Sequence, residues 1–222
     1  MAVIIAIEGI DGSGKGTQAS RLHARCQEAG IKSSLIGFPR YDQTLFGKSI
    51  GNFLNGRFGE LDEVNPFLAS LLYAGDRFES RSHILNTIET SDVVIFDRYI
   101  PSNVAHQGAK LSGAERSEFI EWIEQIEYAI YKMPRINLAI LLDLPADHAQ
   151  KLVAEKQARS YTEKVADLQE ADQSYLANVR EVYLQLAEEN QHWQKIQCLQ
   201  NEVLRSIEEI GDEIWSHVGK LI

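Results

Sequence analysis

"VIIAIEGIDGSGKGT", residues 3–17, decides the fold of this chain. Its first residues are apolar and mostly β-branched as far as Glu8, which predicts a short buried strand, and a glycine-rich turn and a helical pattern follow. Gly9, Gly14 and Lys15 have the spacing GxxxxGK of a loop whose backbone N–H groups bind phosphate at the start of a helix. The order strand, loop and helix favours such a loop over a glycine turn that only caps a helix.

This loop departs from the usual pattern at one position. The hydroxyl residue that normally follows the lysine is replaced by Gly16, and Thr17 stands one residue later. Because Mg²⁺ gives up its water reluctantly, we expect a magnesium ion here to be held mainly through water and phosphate oxygens. The possible protein contacts, through water, are Thr17 and Asp97.

Four further segments read as strands and are separated by helical stretches long enough for parallel crossovers: "SSLIGF" (33–38), "DVVIFD" (92–97), "INLAILLD" (136–143) and "WQKIQC" (193–198). The fold class is therefore predicted as α/β, a doubly wound five-stranded parallel sheet. The second and third of these segments lack polar alternation, as central strands covered on both faces do. They end in Asp97 and Asp143, which places these residues near the ligand crevice.

Composition restricts the class of partner. The formal charge of −10 opposes sequence-independent binding of nucleic acid, so the expected partner is a small molecule. Cys26 and Cys198 have no metal-ligand spacing nearby, which fits a reducing cytoplasm. The apolar N-terminal run is too short to span a membrane and lacks a basic leader, so we expect a cytoplasmic protein without a membrane partner. One domain over 1–222 is expected, with a charged lid segment at about 155–170.

Motifs along nearly the whole chain carry a family resemblance: "FPRY" (38–41), "LLYAGDRFES" (71–80), "DRYIPSNVAHQG" (97–108), "QARSYTEK" (157–164) and "VREVY" (179–183). Taken in this order, they resemble the thymidylate kinase family. The resemblance implies a P-loop nucleoside-monophosphate-kinase fold with a helical lid. It also implies ATP as phosphoryl donor, Mg²⁺ as cofactor, dTMP as acceptor and a homodimer. The GKGT sequence of the loop is similar to that of adenylate kinases as well.

The resemblance implies two sets of binding residues. ATP would be bound by Gly9, Ile10, Asp11, Gly12, Ser13, Gly14, Lys15, Gly16 and Thr17. The acceptor would be bound by Asp11, Phe38, Leu54, Tyr73, Arg77, Arg98, Ser102, Asn103, His106 and Gln107.

The thymine ring would stack on Tyr73, and Arg77, on the same helical face four residues later, would donate to a thymine carbonyl. A core aromatic residue and a surface cation are the alternative interpretations of these two side chains. Phe38 and Leu54 would be apolar walls of the pocket, although core packing explains them almost equally well.

Arg98 is the expected ligand of the monophosphate because its planar fork matches phosphate oxygens. The alternative for Arg98 is a structural ion pair with Asp97 or Asp11. The family would place Asp11 against the 3′-hydroxyl of the sugar and against the phosphate-binding arginine, whereas a helix cap is the competing explanation.

The expected catalytic residues are Lys15, Arg98 and Arg159. One branch of the family carries a catalytic arginine within the phosphate loop, and the other carries it in the lid. The interior of the loop, "IDGS", has no arginine, so the resemblance implies that the lid supplies the transition-state cation from Lys156, Arg159 or Lys164, with Arg159 favoured. The alternative is a solvated charged segment.

Two features leave substrate recognition open. His106 stands where the family usually has tyrosine or phenylalanine, a ring that helps to exclude a ribose 2′-hydroxyl, so deoxyribose preference is expected to persist but to be smaller. Arg40 and Tyr41 are both candidates for a further phosphate contact.

Two other functions stay open at this point. One is a nucleoside monophosphate kinase of relaxed base preference, and the other is a non-catalytic P-loop switch. Arg98, the arginine in the lid and the absence of an NKxD motif argue against the switch. The apolar helical stretch 118–131 is either a homodimer interface or a buried helix of a monomer.

Overall fold

The computed structural model describes residues 2–61, 63–154 and 172–222. Five parallel strands form one sheet in the order β2-β3-β1-β4-β5. Their bounds are β1 Val3–Glu8, β2 Ser33–Gly37, β3 Val93–Asp97, β4 Leu138–Asp143 and β5 Trp193–Gln197. All five predicted strands are confirmed, with ends that differ by at most two residues. The predicted lid at 155–170, with Lys156, Arg159 and Lys164, lies outside the described residues.

Helices connect the strands as parallel crossovers require. In chain order they are α1 Lys15–Glu28, α2 Leu45–Leu54, α3 Pro66–Glu79, α4 Arg81–Thr90, α5 Ile100–Gly108, α6 Gly113–Glu124, α7 Ala146–Ala154, α8 Gln173–Glu189 and α9 Ile207–Val218. A π-helical segment, Gln125–Ile130, directly continues α6, and a short ribbon pairs Leu199–Gln200 with Val203–Leu204. Among the described residues, no helix has the length and apolar character needed to cross a membrane.

Each face of the sheet carries its own hydrophobic core. Successive side chains of a strand point to opposite faces, so Ile5 and Ile7 of β1 belong to one core while Ile4 and Ala6 belong to the other. Helices pack on both cores, which confirms the doubly wound fold. Because β1 lies between β3 and β4, the ligand crevice is expected beyond its carboxyl end.

The stretch 118–131 contributes to the second of these cores. Phe119 and Ile123, four residues apart, are fully buried there, whereas Ile130 in the π-helical segment is 65% exposed. One face of this stretch is therefore core. The homodimer stays a prediction, and the exposed residues of this stretch are available for its interface.

Candidate active site

A cavity of about 250 Å³ opens where β1, β2 and β3 end. The predicted residues that line it are Asp11, Gly12, Gly14, Lys15, Gly16, Phe38, Leu54, Tyr73, Arg77, Asp97, Arg98, Ser102, Asn103, His106 and Gln107. The sequence analysis did not place Pro39, Asp76 and Tyr99 there, and left Tyr41 undecided. Gly9, Ile10, Ser13 and Thr17 belong to the same loop and helix start without lining the cavity. Arg159 lies outside the described residues.

The loop after β1 folds back over its own lysine. Gly14 has the left-handed φ of 89° and precedes α1, a conformation that favours glycine. The ammonium of Lys15 donates to the carbonyl oxygen of Ile10 at 2.7 Å and is buried. Burial and, secondly, the charge of Arg98 lower the pKa of Lys15 from 10.5 to about 7. A bound polyanion would favour the charged ammonium again.

Asp97 lies close to the loop at the position where a hydroxyl residue is usual. A Cβ atom built on Gly16 would lie 3.0 Å from Oδ2 of Asp97, so a larger residue would press on this carboxylate. The carboxylate therefore lies at the start of α1, in which Thr17 is the next residue along the chain and is exposed. The described residues contain no cluster of three or more histidine, cysteine or acidic side chains that could hold a metal ion. These donors fit a cation that is held largely by water and phosphate.

Arg98 follows β3 directly and has a left-handed backbone, with φ of 67°. Such a conformation costs a non-glycine residue about 1–3 kcal/mol and persists where the surroundings enforce it, often at functional sites. Its Nη2 donates to Oδ1 of Asp11 at 2.7 Å, and its Nη1 donates to Oγ of Ser102 at 3.1 Å. The structure thus brings Asp11 and Arg98 together at the mouth of the phosphate loop.

His106 connects this arginine to the helix that begins after the undescribed segment. Its Nε2 lies 3.2 Å from Nη1 of Arg98, and its Nδ1 lies 3.1 Å from the hydroxyl of Tyr175 in α8. Since a guanidinium only donates, Nε2 must accept and the ring hydrogen must be on Nδ1. Burial and, secondly, the charge of Arg98 lower the pKa of His106 from 6.5 to about 3, so the ring is neutral.

The other end of the cavity is built by α3 and α5. Tyr73 and Arg77, one turn apart on α3, both line it. The guanidinium of Arg77 is nearly fully buried and donates through Nε to both oxygens of Glu127 at 3.0 Å, with Nη2 donating to Oε1 as well. Although burial opposes the charge, the carboxylate raises the pKa of Arg77 above its ordinary value. Arg77 is therefore a buried, oriented cation, not a surface one.

Three buried polar atoms of α5 lack a hydrogen-bond partner among the described residues. They are Oδ1 of Asn103 and both amide atoms of Gln107. The amide of Asn103 has a defined orientation because its Nδ2 donates to the carbonyl of Ser70 at 3.0 Å. Buried polar groups are nearly always paired, so these three atoms, on two residues that line the cavity, are candidates for pairing with a ligand.

Four further residues, which contact the cavity lining from behind, were also missed by the sequence analysis: Glu8, Glu127, Tyr175 and Tyr183. Glu8 is fully buried and accepts from the backbone N–H of Tyr99 at 2.8 Å, from Ser102 at 2.6 Å and from Tyr183 at 3.0 Å. Burial raises its pKa. The sequence did contain a signal for Glu8, which is an acidic residue at the end of an apolar strand.

It also contained a signal that Glu127 is buried, because Phe119, Ile123 and Glu127 are spaced four residues apart and so lie on one helical face.

The structure separates the two candidates for the further phosphate contact. Tyr41 lines the cavity. Arg40 instead donates through its backbone N–H to Asp76 at 2.9 Å and through Nη1 to Ser80 at 3.1 Å. Of the two, Tyr41 is the one that a ligand in the cavity would meet.

Comparisons with known proteins agree with one another. The family model described as Thymidylate kinase matches residues 7–214. A "Thymidylate kinase" from Mycobacterium tuberculosis is 33% identical over 147 residues, 66% of this chain and 68% of that protein. A "Probable thymidylate kinase" from Thermococcus onnurineus is 32% identical over 96% of this chain and 95% of its own length. A solved thymidylate kinase from Candida albicans superposes with a TM-score of 0.72 at 22% identity, covering 99% of this chain and 92% of that one, which supports the fold.

Proposed function

This chain belongs to the thymidylate kinase family, and from that membership we propose how its residues carry out the ATP-dependent phosphorylation of dTMP to dTDP. It is an enzyme of that type, with ATP as the phosphoryl donor. The observation that carries the assignment of roles is the cavity itself, which is lined both by Arg77, a cation oriented by Glu127, and by Asn103, whose Oδ1 is a buried acceptor without a partner among the described residues.

The proposed base site recognises thymine by hydrogen bonds to the edge of its ring. A thymine ring presents a carbonyl oxygen next to the N3–H donor, so it needs a donor beside an acceptor. Arg77 supplies the donor, Asn103 supplies the acceptor, and the ring of Tyr73 offers a stacking surface. Phe38 and Leu54 close the pocket with apolar walls. Cytosine presents the opposite pattern at the same positions and would leave these buried groups unpaired.

The proposed phosphate site lies at the other end of the cavity. Arg98 would bind the monophosphate of dTMP, with its fork oriented by Asp11 and by the neutral ring of His106. Lys15 would bind the phosphates of ATP together with the backbone N–H groups of its loop. Ser102 and Gln107 would contribute further polar contacts.

Phosphoryl transfer needs positioning and charge neutralisation more than proton transfer, so no general base is required. The acceptor phosphate is largely dianionic at neutral pH, and its repulsion from ATP is the main obstacle. Lys15 and Arg98 offset that repulsion within a cavity where charges interact more strongly than in water. We propose Arg159 of the lid as a third cation, and Arg159→Ala should lower kcat at least about a hundredfold while ATP affinity changes little.

Magnesium is proposed as the cofactor, with Asp97 and Thr17 as the residues that would hold it through water. When bound, it neutralises charge between the phosphates of ATP. The carboxylate of Asp97 against Gly16 supports this placement.

We also propose a cytoplasmic homodimer. A surface that we call the apolar face joins α2, α3 and the π-helical segment, and consists of Leu45, Phe46, Phe78, Ile130 and Tyr131. Phe46 packs over Gly75 of α3, and the rings of Phe78 and Tyr131 are 4.5 Å apart, so the face is continuous. Leu45 is 70% exposed, and exposed apolar patches commonly mark interfaces.

The test is a coupled assay of ADP release with ATP and a panel of nucleoside monophosphates. We expect dTMP to have the highest kcat/KM. A higher value for AMP or CMP would point to a kinase of another base preference. ATP binding without transfer to any monophosphate would point to a switch protein. In the same assay, His106→Tyr should increase the preference for dTMP over ribothymidine monophosphate if position 106 senses the 2′-hydroxyl.

A further inference from the structure

Glu127 is a fully buried carboxylate that does not line the cavity, yet it touches two side chains that do. It pairs with Arg77, and its Oε1 lies 3.4 Å from Nδ2 of Asn103. Burying an ion pair costs desolvation that the attraction often fails to repay, so such a pair is weak evidence for stability. Its location behind the base site indicates another role.

The contacts with Glu127 leave one side of the Arg77 guanidinium and one atom of the Asn103 amide available to a ligand. A guanidinium has five N–H groups, and the edge formed by Nε and Nη2 is occupied by Glu127. The N–H groups of Nη1 remain for the cavity that Arg77 lines. For Asn103, the Ser70 carbonyl and Glu127 occupy the Nδ2 side, and Oδ1 is left as the unpaired acceptor.

We infer that Glu127 is the positioning residue that sets base specificity, because it binds the fork of Arg77 and contacts Nδ2 of Asn103, which leaves a donor on Arg77 and an acceptor on Asn103. That order matches the carbonyl and N3–H of thymine or uracil and opposes the amino group and bare N3 of cytosine. The inference rests on the proposed function and extends it to a residue that would never contact the substrate.

The irregular backbone around Glu127 supports a functional role for this residue. The N–H of Tyr131 bonds to the carbonyl of Ile126 at 2.8 Å, the i→i+5 pattern of a π-helix, and the N–H of Met133 bonds to the carbonyl of Glu127 at 3.0 Å. π-helical turns inside helices occur frequently at functional sites. Here the irregular turn carries the acidic side chain that pairs with Arg77 across 50 residues of sequence.

The experiment measures kcat/KM for dTMP and for dCMP with ATP in wild type and in Glu127→Gln. Glutamine keeps the shape of glutamate but loses the charge, and its amide NH2 group would meet an N–H donor of Arg77. We expect the dTMP:dCMP ratio to fall at least about tenfold, the scale for a hydrogen bond to a charged group. The loss should come mainly from a higher KM for dTMP, with the KM for ATP unchanged. Glu124→Gln, on an exposed position of the same helix, is the matched control and should leave the ratio unchanged.

Two further variants guard against misfolding and against an indirect effect. The ratio of two kcat/KM values and the KM for dTMP do not depend on the fraction of active enzyme, so a poorly folding variant still gives the measurement. Glu127→Asp, which withdraws the carboxylate by one methylene, should lower the dTMP:dCMP ratio less than Glu127→Gln does. In an Arg77→Met background, Glu127→Gln should lower the ratio little further, since the group it orients is gone. A full additional loss there would overturn the inference.

The outcomes separate this inference from the function on which it rests. If wild type does not prefer dTMP, the proposed function fails and the role of Glu127 fails with it. If wild type prefers dTMP and Glu127→Gln retains both the ratio and the KM for dTMP, the role of Glu127 alone is overturned.

Discussion

At the scale of single residues, the active site depends on side chains whose protonation states are set by burial. Lys15 and His106 are both shifted toward their neutral forms by desolvation and by the nearby charge of Arg98. For His106 this is what allows Nε2 to accept from the guanidinium. For Lys15 it means that the ammonium is a weakened cation, whose charge a bound polyphosphate would restore.

We predict that the stability of the protein falls with acid through His106. Its folded pKa of about 3 lies below the ordinary 6.5, so the folded state binds fewer protons between these values. Stability therefore rises with pH across this window and is lost as the pH falls through it, by up to about 1.4 kcal/mol per pH unit. Urea unfolding at pH 4.5 and pH 7 should show a smaller difference in His106→Gln than in wild type.

His83 provides the control for that experiment, because its side chain is exposed. His83→Gln should keep the wild-type dependence on pH. Equal slopes for His106→Gln and wild type would contradict the neutral, hydrogen-bonded state of His106.

Lys15 leads to a second prediction, which concerns proton uptake. At pH 8 most of a group with a pKa of about 7 is neutral, and ATP phosphates should recharge it. Binding should then take up about one proton, and ATP affinity should decline as the pH rises above 7. Isothermal titration at pH 8 in buffers of different ionisation enthalpy measures this uptake. A binding enthalpy that is the same in every buffer would show that Lys15 is already charged in the free protein.

At the scale of elements, α2 fixes the segment that carries Tyr41 into the cavity. Thr44 caps the helix by accepting from the N–H of Gly47 at 2.8 Å, and its hydroxyl donates to Asp76 of α3 at 2.5 Å. A Cβ atom on Gly47 would lie 2.2 Å from the carbonyl oxygen of Arg40. The turn before α2 therefore closes only around glycine.

Two glycines of α2 make a matched pair for a stability test. Gly47→Ala should destabilise the protein by about 1–3 kcal/mol because the backbone must shift to admit the methyl group. Gly51→Ala meets nothing closer than a Tyr41 ring carbon at 3.7 Å and should be neutral or stabilising by up to about 1 kcal/mol. Thermal unfolding followed by circular dichroism distinguishes them, and equal melting temperatures would show that the turn relaxes without cost.

At the scale of the whole molecule, an acidic body surrounds a cavity in which charges of both signs meet. The net charge is −10, and the cavity is lined by three cations and three carboxylates: Lys15, Arg77, Arg98, Asp11, Asp76 and Asp97. Two of the cations are paired in this structure, Arg77 with Glu127 and Arg98 with Asp11. The apolar face defined above lies on α2, α3 and the π-helical segment, and α3 also carries Tyr73 and Arg77 of the proposed base site.

We predict that the apolar face forms the homodimer. Phe78→Glu should convert the protein to a monomer, because a charge in the centre of an apolar interface would be buried unpaired. Light scattering after size exclusion should give twice the chain mass for wild type and the chain mass for this variant. Val203→Glu, at a 67% exposed position on the short ribbon, is the control and should stay dimeric. A wild-type protein with the mass of one chain would rule the dimer out.

The sequence by itself determined the sheet and the phosphate loop, and the family resemblance of its motifs supplied most of the other residues that line the cavity. The first two features are local, because an apolar run or a glycine spacing carries its meaning within a few residues. The strand ends were therefore predicted to within two residues. Helical spacing placed Tyr73 and Arg77 on one face, and the resemblance assigned that face to the pocket.

Only the tertiary structure decided which buried polar groups face one another. Glu127 meets Arg77, Asp97 lies against Gly16, and Tyr175 reaches His106, all across long sequence separations. No local pattern specifies such pairs, because each becomes necessary only when packing removes both partners from water. Arg77 accordingly read as a surface cation or a base ligand in the sequence, and only packing shows that a buried carboxylate holds it in place.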